Sequence, residues 1–148
     1  MRTLLITDDH ESVLHTLEYV LSLRGYRTLL ANSGAVALEI AAQETCDAAL
    51  VDLHMPGMDG FALCRALRER ATAAGRDVPV FMMTAVHTSV ASKAALQAGA
   101  VTLLKKPFDC DEFLSALERY CSGELPLPGL PVSPPLDGDT SAAPPTAA

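Results

Sequence analysis

Two adjacent acids, Asp8 and Asp9, a third acid at Asp52, a hydroxyl at Thr84 and an ammonium at Lys106 stand at the ends of four short apolar runs. Carboxylates gathered at one point repel one another unless a cation intervenes. A site built from carboxylates and backbone carbonyls suits Mg²⁺, which keeps several waters and often binds phosphate oxygens. The ammonium and the hydroxyl add positive charge and a hydrogen-bond donor, and aspartate is an established nucleophile toward phosphoryl groups. Phosphoryl transfer asks mainly for positioning and charge stabilisation. The set therefore fits Asp52 as acceptor of a phosphoryl group. Taken singly, each residue has a plainer use. Asp8 and Asp9 could cap a helix, Thr84 has high strand propensity, and an isolated lysine is usually solvated.

Whether the five residues meet depends on the elements that carry them. The runs Thr3-Leu-Leu-Ile-Thr7, Ala48-Ala-Leu-Val-Asp52, Val80-Phe-Met-Met-Thr84 and Val101-Thr-Leu-Leu-Lys105 are unbroken and apolar, with helical periodicity between them. That alternation predicts parallel strands buried on both faces. Ligands of such sheets bind beyond the carboxyl ends of the strands, at a switch point in strand order. The expected order is βα repeated five times, with a further strand at Tyr26 to Ala31 and the third strand from about Cys46. Gly25 is placed to end the first helix, Ser33 to cap the second, and the third is expected from about Met58 to Ala73. A short helix from Ser89 to Ala98 closes at Gly99, and Asp109 and Glu112 stand at capping-box spacing before the last helix. Of Lys105 and Lys106, alternation lets one reach the acids, and the strand-end position favours Lys106, which the following Pro107 keeps extended or in a turn.

Composition limits what else the chain can be. The net charge is −7 and no basic stripe is present, so no nucleic-acid footprint is expected. Residues 122–148 hold seven of the ten prolines and lack Lys, Arg and aromatic residues. This segment is expected to be a disordered tail or a truncated linker, leaving residues 1–121 as one domain. Cys46, Cys64, Cys110 and Cys121 form no C-x-x-C pair and are expected to be mostly buried, reduced thiols. Neither a signal peptide nor an apolar run of membrane-spanning length is visible, which predicts a cytoplasmic protein without membrane contact.

The strand ending Asp8-Asp9, the segment Val51-Asp-Leu-His-Met-Pro-Gly-Met-Asp-Gly60, Met83-Thr-Ala85 and Lys105-Lys-Pro-Phe108 resemble the receiver domain of bacterial two-component response regulators. The resemblance covers residues 2–121. It implies a flavodoxin-like (βα)5 fold, a doubly wound parallel sheet of order 2-1-3-4-5, with two helices on one face and three on the other. It implies a phosphorelay module rather than an enzyme, phosphorylated on Asp52 by a histidine kinase or histidine phosphotransfer protein. Asp9 would bind Mg²⁺ directly, Asp8 mainly through water, and the His54 backbone carbonyl would complete the protein ligands beside Asp52. Lys106 would pair with the phosphoryl group. Thr84 would move toward it and couple the site to the face of the fourth helix, fifth strand and fifth helix, where a downstream protein or a second copy would dock.

Three positions bear on how far the family pattern carries over. Leu103 stands where many receivers carry an aromatic switch residue, so signalling is expected to run through the loop after Thr84 and through the fourth helix. In receivers the positions of His54 and Val86 flank the water route to the phosphoryl group; His54 could hydrogen-bond there or simply face solvent, and the apolar Val86 predicts slow self-hydrolysis. His10, His15 and His87 share no ligand spacing and receive no role. An aspartate-nucleophile phosphatase would want a second acid at His54 and a substrate cap. A flavin-binding domain would not place Asp8-Asp9 in its phosphate loop. A pseudo-receiver would not retain every acidic, hydroxyl and lysine position.

Overall fold

A computed structural model describes residues 2–55, 57–106 and 109–123. Five strands alternate with five helices: β1 (Thr3–Thr7), α1 (Glu11–Leu23), β2 (Arg27–Ala31), α2 (Gly34–Gln43), β3 (Ala48–Asp52), α3 (Gly60–Ala73), β4 (Val80–Thr84), α4 (Ser89–Gln97), β5 (Ala100–Lys105) and α5 (Cys110–Cys121). All pairings are parallel and the strand order is β2-β1-β3-β4-β5. Apart from Ser122 and Gly123, the expected tail lies outside the described residues.

The period of two along each strand divides the core. Leu5, Val51, Met82 and Leu103 face α2, α3 and α4, joining Ala37, Leu63, Leu67 and Ala95. Leu4, Ile6, Leu50, Phe81 and Met83 face α1 and α5, joining Leu17, Leu21, Phe113 and Leu117. The Phe81 and Phe113 rings meet edge to face at 5.3 Å between centroids, a favoured aromatic geometry. Every residue of β3 and β4 is buried, which is why these runs read as continuous rather than alternating. With β1 and β3 adjacent and helices on opposite faces, the strand order reverses beside the carboxyl ends of those two strands.

The caps set the helix starts. Ser33, Asp59 and Thr88 each accept a backbone N–H from inside the first turn of α2, α3 and α4. At α5 the full capping box forms, with Asp109 and Glu112 bonded reciprocally to backbone amides. Gly25 takes φ 87° just past the end of α1, a conformation that disfavours side chains other than glycine's. Removing the Asp109 side chain leaves amides of the first turn of α5 without their acceptor. Asp109→Ala should therefore cost about 1 kcal/mol, read as a lower midpoint in thermal denaturation followed by circular dichroism.

Cys46 and Cys64 are buried, Cys110 is half-buried and Cys121 is exposed, and all four are free. The expectation of mostly buried thiols thus holds for the first pair. Cys121 departs from it because it ends α5, where its position turns outward. Among the described residues no helix is long and apolar enough to cross a membrane.

Candidate functional site

β1 and β3 run side by side, so Asp8, just past β1, and Asp52, the last residue of β3, come to one edge. Asp8 is fully buried and Asp52 is 4% exposed. Lys106, just past β5, reaches across that edge. Its Nζ lies 2.7 Å from Asp8 Oδ2 and 3.4 Å from Asp52 Oδ1. The backbone supports this reach, because the Lys106 N–H donates to the Thr84 carbonyl at 2.7 Å. Lys105 is still in the strand and exposed, as alternation requires.

Neither acid after β1 is used as a helix cap. The N-cap of α1 is His10, without a side-chain cap bond. Asp8 Oδ1 instead accepts the His10 backbone N–H at 2.9 Å, and His10 Nδ1 lies 3.2 Å from it. The same ring nitrogen is 3.2 Å from Asp9 Oδ1 but makes no hydrogen bond with it, and that oxygen is buried without a partner. An unsatisfied buried carboxylate oxygen is costly. Here it belongs to a group, Asp8, Asp9, His10 and Asp52, whose ligand atoms lie within 4.8 Å of one another. The residues present thus fit a small divalent cation, whose charge would offset three carboxylates that face Lys106 and an imidazole.

Burial pushes the Asp52 carboxyl above its ordinary pKa and the Asp8 charge adds to this; Lys106 and the His54 amide oppose it. The His54 N–H points to Asp52 Oδ1 at 3.5 Å, which is long for a hydrogen bond. Thr84 is fully buried. Its hydroxyl is held by the following loop, with Oγ1 3.2 Å from both the carbonyl oxygen and the amide nitrogen of Val86. Asp8, Asp52 and Lys106 are therefore in contact, Asp9 adjoins them, and Thr84 is tethered to its own loop. His10 is the member that spacing did not reveal. It had no partner at a ligand interval along the chain, and the signal was its adjacency to two acids at the end of a strand.

The model of the response regulator receiver domain family matches residues 4–118. The chain belongs to this family. It is 39% identical over 114 residues to the response regulator MprA of Mycobacterium leprae, covering 77% of this chain and 48% of that protein. With MprA of Mycobacterium sp. strain KMS the identity is 36% over 133 residues, covering 90% and 56%. The chain thus spans about half the length of these curated relatives. Among solved structures, Vibrio cholerae chemotaxis protein CheY4 superposes with a TM-score of 0.73 at 28% identity, covering 80% of this chain and 98% of that one. A two-component response regulator from Clostridium difficile gives a TM-score of 0.76 at 20% identity, covering 82% and 97%, and supports the fold alone. Receiver domains of two-component systems are signalling domains, and both the strand order and the acidic edge described above agree with that membership.

Proposed function

We propose that this receiver is a phosphorylation switch whose acceptor is Asp52 and whose unit is residues 1–121. The observation that carries this reading is the Asp52 carboxylate, buried at the end of β3, with the Lys106 ammonium 3.4 Å away and the unpartnered Asp9 Oδ1 in the same acidic group. In the reaction one Asp52 oxygen forms a bond to phosphorus. The bond from phosphorus to a donor imidazole nitrogen, of a histidine kinase or phosphotransfer protein, breaks, and that nitrogen is left neutral. Asp9, Asp52 and the His54 carbonyl would hold Mg²⁺, with Asp8 acting mainly through water. When bound, the ion would offset charge on the phosphoryl oxygens. Lys106, kept in place by Asp8, would offset charge on the same oxygens.

Thr84 makes the readout. Its hydroxyl can donate to a phosphoryl oxygen after leaving the Val86 backbone, so its movement releases the loop before α4. Leu103 is 6% exposed and packs with Met82 in the core under α2, α3 and α4, where it offers no polar group to follow Thr84. Val86 in this loop and Val90 in α4 are 63% and 76% exposed, which supports docking of a downstream protein beside α4. Beryllofluoride with Mg²⁺ should shift the amide resonances of Ala85, Val86 and α4 as well as those of the pocket. Shifts confined to the pocket would refute this route.

The direct test is intact mass after incubation with acetyl phosphate, with and without Mg²⁺. A gain of one phosphoryl group that requires Mg²⁺ is expected. No gain under conditions that label a CheY protein would sink the proposal in favour of a receiver that signals without phosphorylation.

A further inference from the structure

We propose that His10 supplies a nitrogen ligand to the divalent-cation site, so that this chain selects a first-row transition ion such as Mn²⁺ over Mg²⁺. The inference rests on the cation site proposed above and concerns what that site prefers. Its basis is the position of one ring nitrogen. His10 Nδ1 is 3.2 Å from Asp8 Oδ1 and 3.2 Å from Asp9 Oδ1. Together with Asp52 these residues present ligand atoms within 4.8 Å of one another. Ligands on opposite sides of an ion bound at about 2.0–2.4 Å are separated by roughly 4–4.8 Å. The four atoms therefore already span the distance that one ion would bridge.

The ring can complete this geometry by exchanging its 3.2 Å contact with Asp8 Oδ1 for the ion. Its backbone N–H is anchored on Asp8 at 2.9 Å, yet its side chain is 67% exposed, so a small rotation toward Asp9 opposes no packing. Asp9 Oδ1 has no competing hydrogen bond. Carboxylate and carbonyl oxygens alone suit Mg²⁺, whereas adding an imidazole nitrogen raises affinity along the series from Mn²⁺ through Co²⁺ to Cu²⁺. A histidine that only hydrogen-bonded Asp8 would act as a positioning residue for the carboxylate. It would then alter the affinity for every divalent ion alike.

The test uses the full chain without phosphoryl donor. Affinities for Mg²⁺ and Mn²⁺ are measured by calorimetry for the wild type, His10→Ala and Asp9→Asn. Nitrogen coupling to bound Mn²⁺ is read by pulsed electron paramagnetic resonance. The wild type should show a ¹⁴N modulation that His10→Ala lacks, and its preference for Mn²⁺ over Mg²⁺ should exceed that of the variant by about tenfold. Loss of Mn²⁺ binding in Asp9→Asn would place the ion at these acids. Equal weakening of both ions in His10→Ala, with no nitrogen signal to lose, would overturn the proposal and leave the cation site standing. Failure of either ion to bind the wild type saturably would overturn both.

Discussion

Asp52→Asn should leave no aspartyl phosphate on this chain and, without divalent ions, should unfold at a higher temperature than the wild type. The first half follows from chemistry, since an amide is not a nucleophile toward phosphorus and Asp9 would be taken up by the proposed cation. Asp8 is bonded to Lys106 and His10. The second half follows from electrostatics. Burial first, and then Asp8, raises the Asp52 carboxyl above its ordinary pKa against the pull of Lys106. An acid with a raised folded-state pKa binds protons more tightly folded than unfolded. Stability therefore falls as pH rises from the unfolded carboxylate's range through the folded pKa, a loss that belongs to the ionised carboxylate. Asparagine removes it. A rise of about 4 °C is expected, the shift that roughly 1 kcal/mol produces in a domain of this size. The variant's midpoint should also vary less between pH 4 and neutrality. Saturating Mg²⁺ should reverse the order, because an ion at one hundred times its dissociation constant adds about 2.7 kcal/mol to the state that binds it. Intact mass and calorimetry with and without Mg²⁺ check both halves. A phosphorylated asparagine variant would mean another acceptor. A less stable one would mean that the Asp52 contacts with Lys106 and the His54 amide outweigh its burial and repulsion.

That prediction draws on residues whose meeting could be read before any coordinates, because each stood at the carboxyl end of a strand run. Parallel strands bring such ends together without help from side chains, so Asp8, Asp52 and Lys106 were legible as a group and Thr84 as their neighbour. Element ends were less legible where a side chain overrides periodicity. β3 starts at Ala48 rather than Cys46 because Asp47 is tied to the start of β1. Its N–H donates to the Thr3 carbonyl, and its carboxylate accepts the Thr3 N–H, each at 2.7 Å. α3 starts at Gly60 rather than Met58 because Asp59 caps it through the Ala62 N–H at 2.8 Å. α4 stops one residue early at Gln97, with Ala98 as its cap before Gly99 turns to φ 104°. The direction of the Thr84 hydroxyl and the approach of His10 to two acids are matters of rotamer and local turn. No spacing rule carries either, which is why His10 received no role from its sequence context.

Gly60→Ala should be among the most damaging single-methyl changes in the protein, lowering stability by about 3 kcal/mol, or roughly 10 °C. Nothing in the local conformation forbids alanine there, since Gly60 opens a helix and alanine is the better helix former. The obstacle is space. A Cβ at Gly60 would lie 2.6 Å from the Asp52 carbonyl oxygen, 2.8 Å from the Leu53 Cα and 2.8 Å from the Met82 Cε. The methionine tip could turn aside, but the other two atoms are backbone at the end of a fully buried strand. The Gly60 N–H also donates to the Leu53 carbonyl at 3.0 Å, closing the loop that carries His54. To admit the methyl group, either that bond breaks or the end of β3 moves, and Asp52 moves with it. The same variant should therefore lose much of its Mg²⁺-dependent phosphorylation at temperatures where it remains folded. Gly34→Ala supplies the contrast. Its nearest neighbours all belong to the Met58 side chain; the Sδ at 2.8 Å can turn aside, which leaves the Cβ at 3.0 Å to shift by a small amount. Thermal denaturation of the two variants should separate them by several degrees. Equal midpoints would show that the Asp52 strand end yields as readily as a side chain, and Asp52 would then not be rigidly placed.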